Sequence, residues 1–180
     1  MANDVGMVLG LKHNTNLLVD YDPEWPGEFA REHERLAGAI GNIAKGIEHY
    51  GSTAVPGLRA KPILDIIVAL DPLSDWEDCH DPLLALGYDY AAHAGVPGHH
   101  IFGRGRDTTE RTHLVHLVEL GGYSWISNIA LRDALRSDPE LRREYVALKE
   151  QAVSEAPESR ARYNVLKGAF IDRVKAGLMR

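Results

Sequence analysis

A chain of 180 residues is the size of one ordinary domain and is long enough to bury its own core. With 44% hydrophobic and 26% charged residues it is neither disordered nor fibrous, and its single cysteine, Cys79, excludes both an internal disulfide framework and a multi-thiolate metal site. The formal net charge of -6 argues against a general nucleic-acid binder, although residues 132–180 carry 11 basic and 8 acidic side chains against 9 and 18 in residues 1–131.

Residues 1–16 read as a flexible N-terminal arm and residues 17–180 as a single domain. They contain neither a signal-peptide pattern nor an apolar run near the roughly 20 residues that cross a bilayer, so the expected setting is the cytoplasm, with no membrane partner. A short strand is expected at Leu17 to Tyr21. Pro26 then opens an amphipathic helix that buries Phe29, Leu36, Ile40 and Ile43 and ends near Lys45-Gly46. Strands follow at Ile47 to Tyr50 and, after a small, turn-rich and basic segment, at Ile63 to Leu70.

A short helix is expected over Ser74 to Leu86, carrying Cys79 in an acidic setting that raises its pKa. A strand around Tyr88 to Ala91, a glycine and histidine rich stretch from His93 to Arg106 with a β-turn at Gly103 to Arg106, and a strand from Thr112 to Leu120 come next. Three helices close the chain: Trp125 to Arg136, one capped by Ser137-Asp138-Pro139, and one from about Glu158. This order is that of an α+β fold with a mixed sheet covered on one side.

The chemistry concentrates around Asp65, a lone carboxylate in an apolar strand, which must be paired, hydrogen-bonded or bound to a cation. A buried ion pair with Arg59 or Lys61 would be the structural explanation. The functional one rests on the preceding loop: Gly51 and Ser52 offer backbone N–H groups and a hydroxyl to phosphate oxygens, and Arg59 and Lys61 add charge. The loop is not a G-x-x-x-x-G-K-[ST] phosphate loop. Strand alternation places Arg111, His113 and Glu119 on one face and His116 on the other, making Arg111 and His113 the preferred substrate contact and acid/base group. Tyr163 and Lys167 share one helix face and Arg132 another, each able to reach an anion, with helix packing and local ion pairs as the competing explanations.

Several strings carry a resemblance. Tyr21-Asp22-Pro23-Glu24-Trp25-Pro26, the run from Ile47 to Ile66, Arg111-Thr112-His113, Leu131-Arg132-Asp133-Ala134-Leu135-Arg136 and Tyr163-x-x-x-Lys167-x-x-Phe170 resemble the GrpB family of the nucleotidyltransferase superfamily, over almost the whole chain from Leu17. The resemblance implies a nucleotidyltransferase-like mixed β-sheet core flanked by helices, with C-terminal helices. It also implies a Gly-Ser phosphate loop and a strand carboxylate acting on a nucleotide or other phosphorylated small molecule. Active members of the superfamily set two carboxylates two residues apart to hold divalent metal, whereas the second position here is Ile67. The expected metal ligands are therefore Asp65 and the more distant Glu119, with magnesium or manganese ahead of zinc. A zinc or manganese set of His49, His113 and Asp65 is the chemical alternative. Two functions stay open: an enzyme, with Asp65 and His113 catalytic and Gly51, Ser52, Arg59, Lys61, Arg111, Arg132, Tyr163 and Lys167 binding substrate, and a catalytically inactive ligand- or partner-binding module.

Overall fold

The apolar run after Pro62 becomes the central strand of a five-stranded mixed sheet, because a strand covered on both faces needs apolar side chains in both directions. In the computed structural model, which describes residues 9–13, 15–93, 95–107 and 109–180, that strand is Leu64–Leu70, designated β3 below. The elements in chain order are β1 (Leu11–Lys12), α1 (Trp25–Ile40), β2 (Gly46–Tyr50), β3, α2 (Trp76–Ala85), β4 (Asp89–Tyr90), β5 (His100–Arg104), β6 (Glu110–Arg111), β7 (His113–Glu119), α3 (Tyr123–Ser137), α4 (Pro139–Glu155) and α5 (Arg160–Leu178). The sheet runs β2-β3-β7-β5-β4, with β3 and β7 parallel and the other neighbours antiparallel.

Register decides which side chains meet. On one face, Ile66, Val68 and Leu70 join Phe102, Val115 and Leu117 beneath Leu36 and Ile40 of α1 and Cys79 and Leu83 of α2. Burying each such side chain contributes roughly 1.5–3 kcal/mol. Cys79 lies in this core, its thiol pushed up to about 11 by burial and the neighbouring Asp78 and Asp75. The other face carries Tyr50, Asp65, Leu114 and Gly103 in one register row and Glu48, Ile67, His116 and Ile101 in the next.

Helices α3, α4 and α5 pack on each other through Leu131, Leu135, Tyr145 and Phe170. They stand over this second face without sealing it, so both faces of the sheet are flanked by helices, whereas the element order predicted cover on one side only. Asp138 caps α4 by accepting from the Glu140 and Leu141 amides, and Ser159 caps α5 by accepting from Arg162. Among the described residues no helix is long and apolar enough to cross a membrane.

Four other expectations are corrected. The arm is packed from Leu9 onward: Leu9, Leu11 and Asn16 are buried, and β1 pairs with β6, while residues 1–8 lie outside the described residues. The strand expected at Leu17 to Tyr21 is a single bridge from Val19 to Ala60. Helix α1 stops at Ile40 and hands over to turns before Gly46. Finally, the glycine and histidine rich stretch contains a strand, β5. Its Gly103 is needed because a Cβ there would sit 2.7 Å from Arg111 Nε, where the guanidinium crosses the sheet.

Candidate functional site

Between the second sheet face and helices α3 and α5 lies a cavity of about 740 Å³, with the Gly51-Ser52 turn, Lys61, Asp65, His116 and Lys149 in its wall. Helix α5 contributes Arg160, Tyr163 and Lys167. The Gly-Ser turn follows β2 directly, and Ser52–Ala54 form one tight helical turn. Gly51 has φ +72, and a Cβ on it would stand 2.6 Å from Asp65 Oδ2. Glycine is required there both by backbone conformation and by the close passage of the carboxylate.

Among the described residues, no hydrogen bond or ion pair within 4 Å closes on Asp65, so it is not sealed against Lys61 or Arg59. Burial pushes its carboxyl up to about 6, although Lys167, Arg160 and Lys61 pull the other way. The surrounding cations are themselves crowded. Lys61 is lowered to about 7 by burial and by Lys167 and Arg160; its ammonium lies 3.6 Å over the Tyr163 ring and donates to Asn16 Oδ1 at 2.5 Å. Lys149, fully buried on α4, is also lowered to about 7 by burial and by Lys167 and Lys61. It donates to Ser52 Oγ at 3.2 Å and to the Arg59 carbonyl. Arg160 Nε and Nη2 are buried without any hydrogen-bond partner.

At another part of the cavity wall, His99 Nδ1 meets His116 Nδ1 at 3.2 Å and His99 Nε2 meets Ser124 Oγ at 2.9 Å. His116 Nε2 is buried and has no partner. Its pKa is lowered to about 3 by burial and by His99, so the ring is neutral and is a hydrogen-bonding rather than a charged group.

The structure brings Gly51, Ser52, Lys61, Asp65, Arg132, Tyr163 and Lys167 together and leaves other expected residues outside. His113 points to the opposite face, under α1, where it contacts Arg104 Nη2 at 3.2 Å and Glu28 at 3.4 Å, and burial lowers its pKa to about 4. His49 shares that face, stacked on Phe29 and bonded to Thr53 Oγ1 at 2.9 Å. A His49, His113 and Asp65 metal set is therefore ruled out by the register. Arg111 is held by Asp89 through two 2.6 Å bonds, and Arg59 is held at the surface by Asp20 and Glu150. Arg132, though in the cavity wall, is tied to Glu48 and Asp133 at 2.8 Å each.

Glu119 lies at the far end of β7, opposite Leu70 rather than Asp65, and accepts from the Leu73 amide at 2.7 Å. It is no partner for Asp65 in holding a metal. The position for a second carboxylate, Ile67, is fully buried, and the described residues contain no group of three metal-ligating side chains. From the sequence, His99 and His116 stand near the cleft but His113 is preferred to them, and Ser124, Lys149 and Arg160 are missed. For His116 the signal existed, since strand alternation separated it from His113; nothing local marked Ser124, Lys149 or Arg160.

This architecture recurs in solved nucleotidyltransferases. The Cid1 poly(U) polymerase in complex with the UTP analogue UMPNPP superposes with a TM-score of 0.52 at 14% identity, over 82% of this chain and 48% of that one, which establishes the class of fold. A crystal structure of the conserved protein GrpB from Enterococcus faecalis superposes with a TM-score of 0.80 at 29% identity, covering 91% of this chain and 97% of its own. The glutamate-rich protein GrpB of Alkalihalophilus pseudofirmus is 32% identical over 170 residues, 93% of this chain and 98% of that protein. The dephospho-CoA kinase of Mycolicibacterium paratuberculosis is 32% identical over 163 residues, 77% of this chain but 40% of that protein. The family model for GrpB protein matches residues 16–176, and the chain belongs to the GrpB family.

Proposed function

We propose that the cavity binds a nucleotide or other phosphorylated small molecule and that the protein acts on it as an enzyme of the transferase type. The observation that carries this reading is the arrangement around Asp65: a carboxylate without a hydrogen-bond or ion-pair partner among the described residues, raised to about 6, in one cavity wall with Arg160 and its two unused buried donors. Uncommitted buried donors cost stability unless a ligand accepts from them. A carboxylate titrating near 6 beside a bound phosphate is suited to take the proton of an attacking hydroxyl. Ser52, on the Gly-Ser turn, and Lys149 behind it complete the cradle. The UTP analogue in the Cid1 structure supports a nucleotide-sized ligand on this fold. The kinase reaction in the name of the mycobacterial relative is not carried over, because this chain has no G-x-x-x-x-G-K-[ST] run and spans only 40% of that protein.

A second reading, a binding module without catalysis, is favoured by Ile67 at the place of the second carboxylate. A thermal-shift screen of nucleotides, nucleoside monophosphates and phosphorylated metabolites tests both, since a ligand selective for the folded chain raises its melting temperature. A stabilising compound that is also turned over, with turnover lost in Asp65→Asn, supports the enzyme. One that binds without product supports a ligand-binding module, and no shift across the panel in a folded protein contradicts both ligand readings and favours a partner-binding module.

A further inference from the structure

We infer that the phosphate of the ligand is held by direct contact with protein cations, with Arg160 at the centre and no divalent metal between. This rests on the reading above that the cavity takes a phosphorylated molecule, and goes beyond it by specifying how the phosphate is recognised.

The donor set is wrong for a metal. Asp65 is the one carboxylate on its stretch of the sheet face: Ile63 and Ile67, two residues to either side, are apolar and buried. The nearest carboxylate in register, Glu48 opposite Ile67, is engaged by Arg132 at 2.8 Å. Clamping attacking and leaving oxygens between metals requires convergent carboxylates, and a single one binds magnesium weakly. The local charge opposes a cation as well. The cavity wall carries Lys61, Arg132, Lys149, Arg160, Lys167 and Lys175 against only Asp65 and Asp172. A divalent ion would add positive charge to an enclosure that already has an excess of it.

The same set suits an anion. Nε–H and Nη2–H form one edge of a guanidinium, with two donors side by side in the geometry that two oxygens of one phosphate accept. On Arg160 both atoms of that edge are buried and neither has an acceptor, whereas Arg132 and Arg111 spend their donors on protein carboxylates. Lys61 and Lys167 stand near the same carboxylate from the loop and from two turns further along α5. The Tyr163 ring, on which both ammonium groups lie at 3.6 and 5.5 Å, holds them on the cavity side. Without ligand, Asp65 supplies counter-charge to Lys61 and Arg160. With ligand, a phosphate dianion takes that part, leaving Asp65 free to exchange a proton.

Isothermal titration of the full chain with AMP, ADP and pyrophosphate, in excess EDTA and again in excess MgCl2, tests the inference, with adenosine as the control lacking phosphate. The expected result is binding of the phosphorylated probes in EDTA, not strengthened by magnesium, and none of adenosine. Arg160→Met should weaken that binding by about 10- to 100-fold, the range for hydrogen bonds to a charged group. Lys167→Met, two turns further along α5 in the same cavity wall and only half-buried, gives a second variant should Arg160→Met fail to fold by circular dichroism. Binding that appears only with magnesium, or that is indifferent to both substitutions, overturns direct contact while leaving the ligand reading intact. Absence of binding by every phosphorylated probe in both buffers overturns the ligand reading itself.

Discussion

Asp65→Asn should make the free protein more stable, and the reason lies in how the site is built. Burial raises the Asp65 carboxyl from the ordinary 3.8 to about 6 in spite of Lys167, Arg160 and Lys61. A carboxyl that holds its proton more tightly when folded than when unfolded makes stability fall as pH rises from about 4 to about 6, and keeps it lower above that range. A shift of about two units corresponds to at most about 3 kcal/mol, and screening by water in the open cavity leaves about 1–2 kcal/mol. Asparagine keeps the shape and removes the ionisation. At neutral pH the variant should therefore melt roughly 2–8 °C higher in a protein of this size, and near pH 4 the two proteins should melt together. Differential scanning calorimetry of both across that pH range measures this. A variant that melts lower at neutral pH would show the opposite, that Asp65 is a structural ion-pair partner rather than a strained ligand-facing group.

Other outcomes follow from the same geometry. Gly51→Ala forces a left-handed backbone on alanine and drives its Cβ against the Asp65 carboxylate, so it should cost about 1–3 kcal/mol and weaken binding of phosphorylated ligands; calorimetry showing no destabilisation would contradict the described turn. Glu32→Ala removes the buried acceptor of Arg104 at 2.6 Å, Arg35 at 2.7 Å and the Tyr88 hydroxyl at 2.7 Å. Stranding Arg104 should cost about 3–5 kcal/mol in a denaturant melt while leaving ligand affinity unchanged, since the network lies on the opposite sheet face. Phosphate affinity should fall between about pH 6 and about pH 8, as Asp65 on β3 gains a negative charge near 6 and Lys61 in the loop and Lys149 on α4 lose positive charge near 7. Arg160 on α5 stays protonated throughout this range. Titration calorimetry at several pH values checks it, and a flat profile counts against the cationic wall. His113→Asn should leave ligand affinity intact, measured by the same titration, because His113 lies under α1.

Much of the frame was legible because it depends on local patterning. The apolar run of β3 announced a central strand, Asp138 announced the start of α4, and the Gly-Ser turn and Asp65 both line the cavity. The choice of histidine failed for an identifiable reason. Counting alternation from Arg111 treats residues 111–119 as one strand, but Thr112 breaks the chain between β6 and β7. His113 and Arg111 therefore do not share a face, and Arg111 swings across Gly103 to Asp89. The face that matters carries His116, and only the packing of α1 on one side and α3 and α5 on the other reveals this. Arg160 and Lys149 were beyond local reading altogether. A lysine after Leu148 and an arginine at a helix start resemble solvated side chains until α4 and α5 fold back over the sheet.

In the proposed complex a phosphate sits among Arg160, Lys61 and Lys167 beside Asp65. The most direct test is a crystal structure of the protein soaked with the phosphorylated compound that most raises its melting temperature. Phosphate oxygens are expected at hydrogen-bonding distance from Nε and Nη2 of Arg160, with the rest of the molecule reaching toward His99 and Ser124. A phosphate lodged elsewhere, or one bridged to Asp65 by a metal ion with Arg160 still unpartnered, would contradict that arrangement.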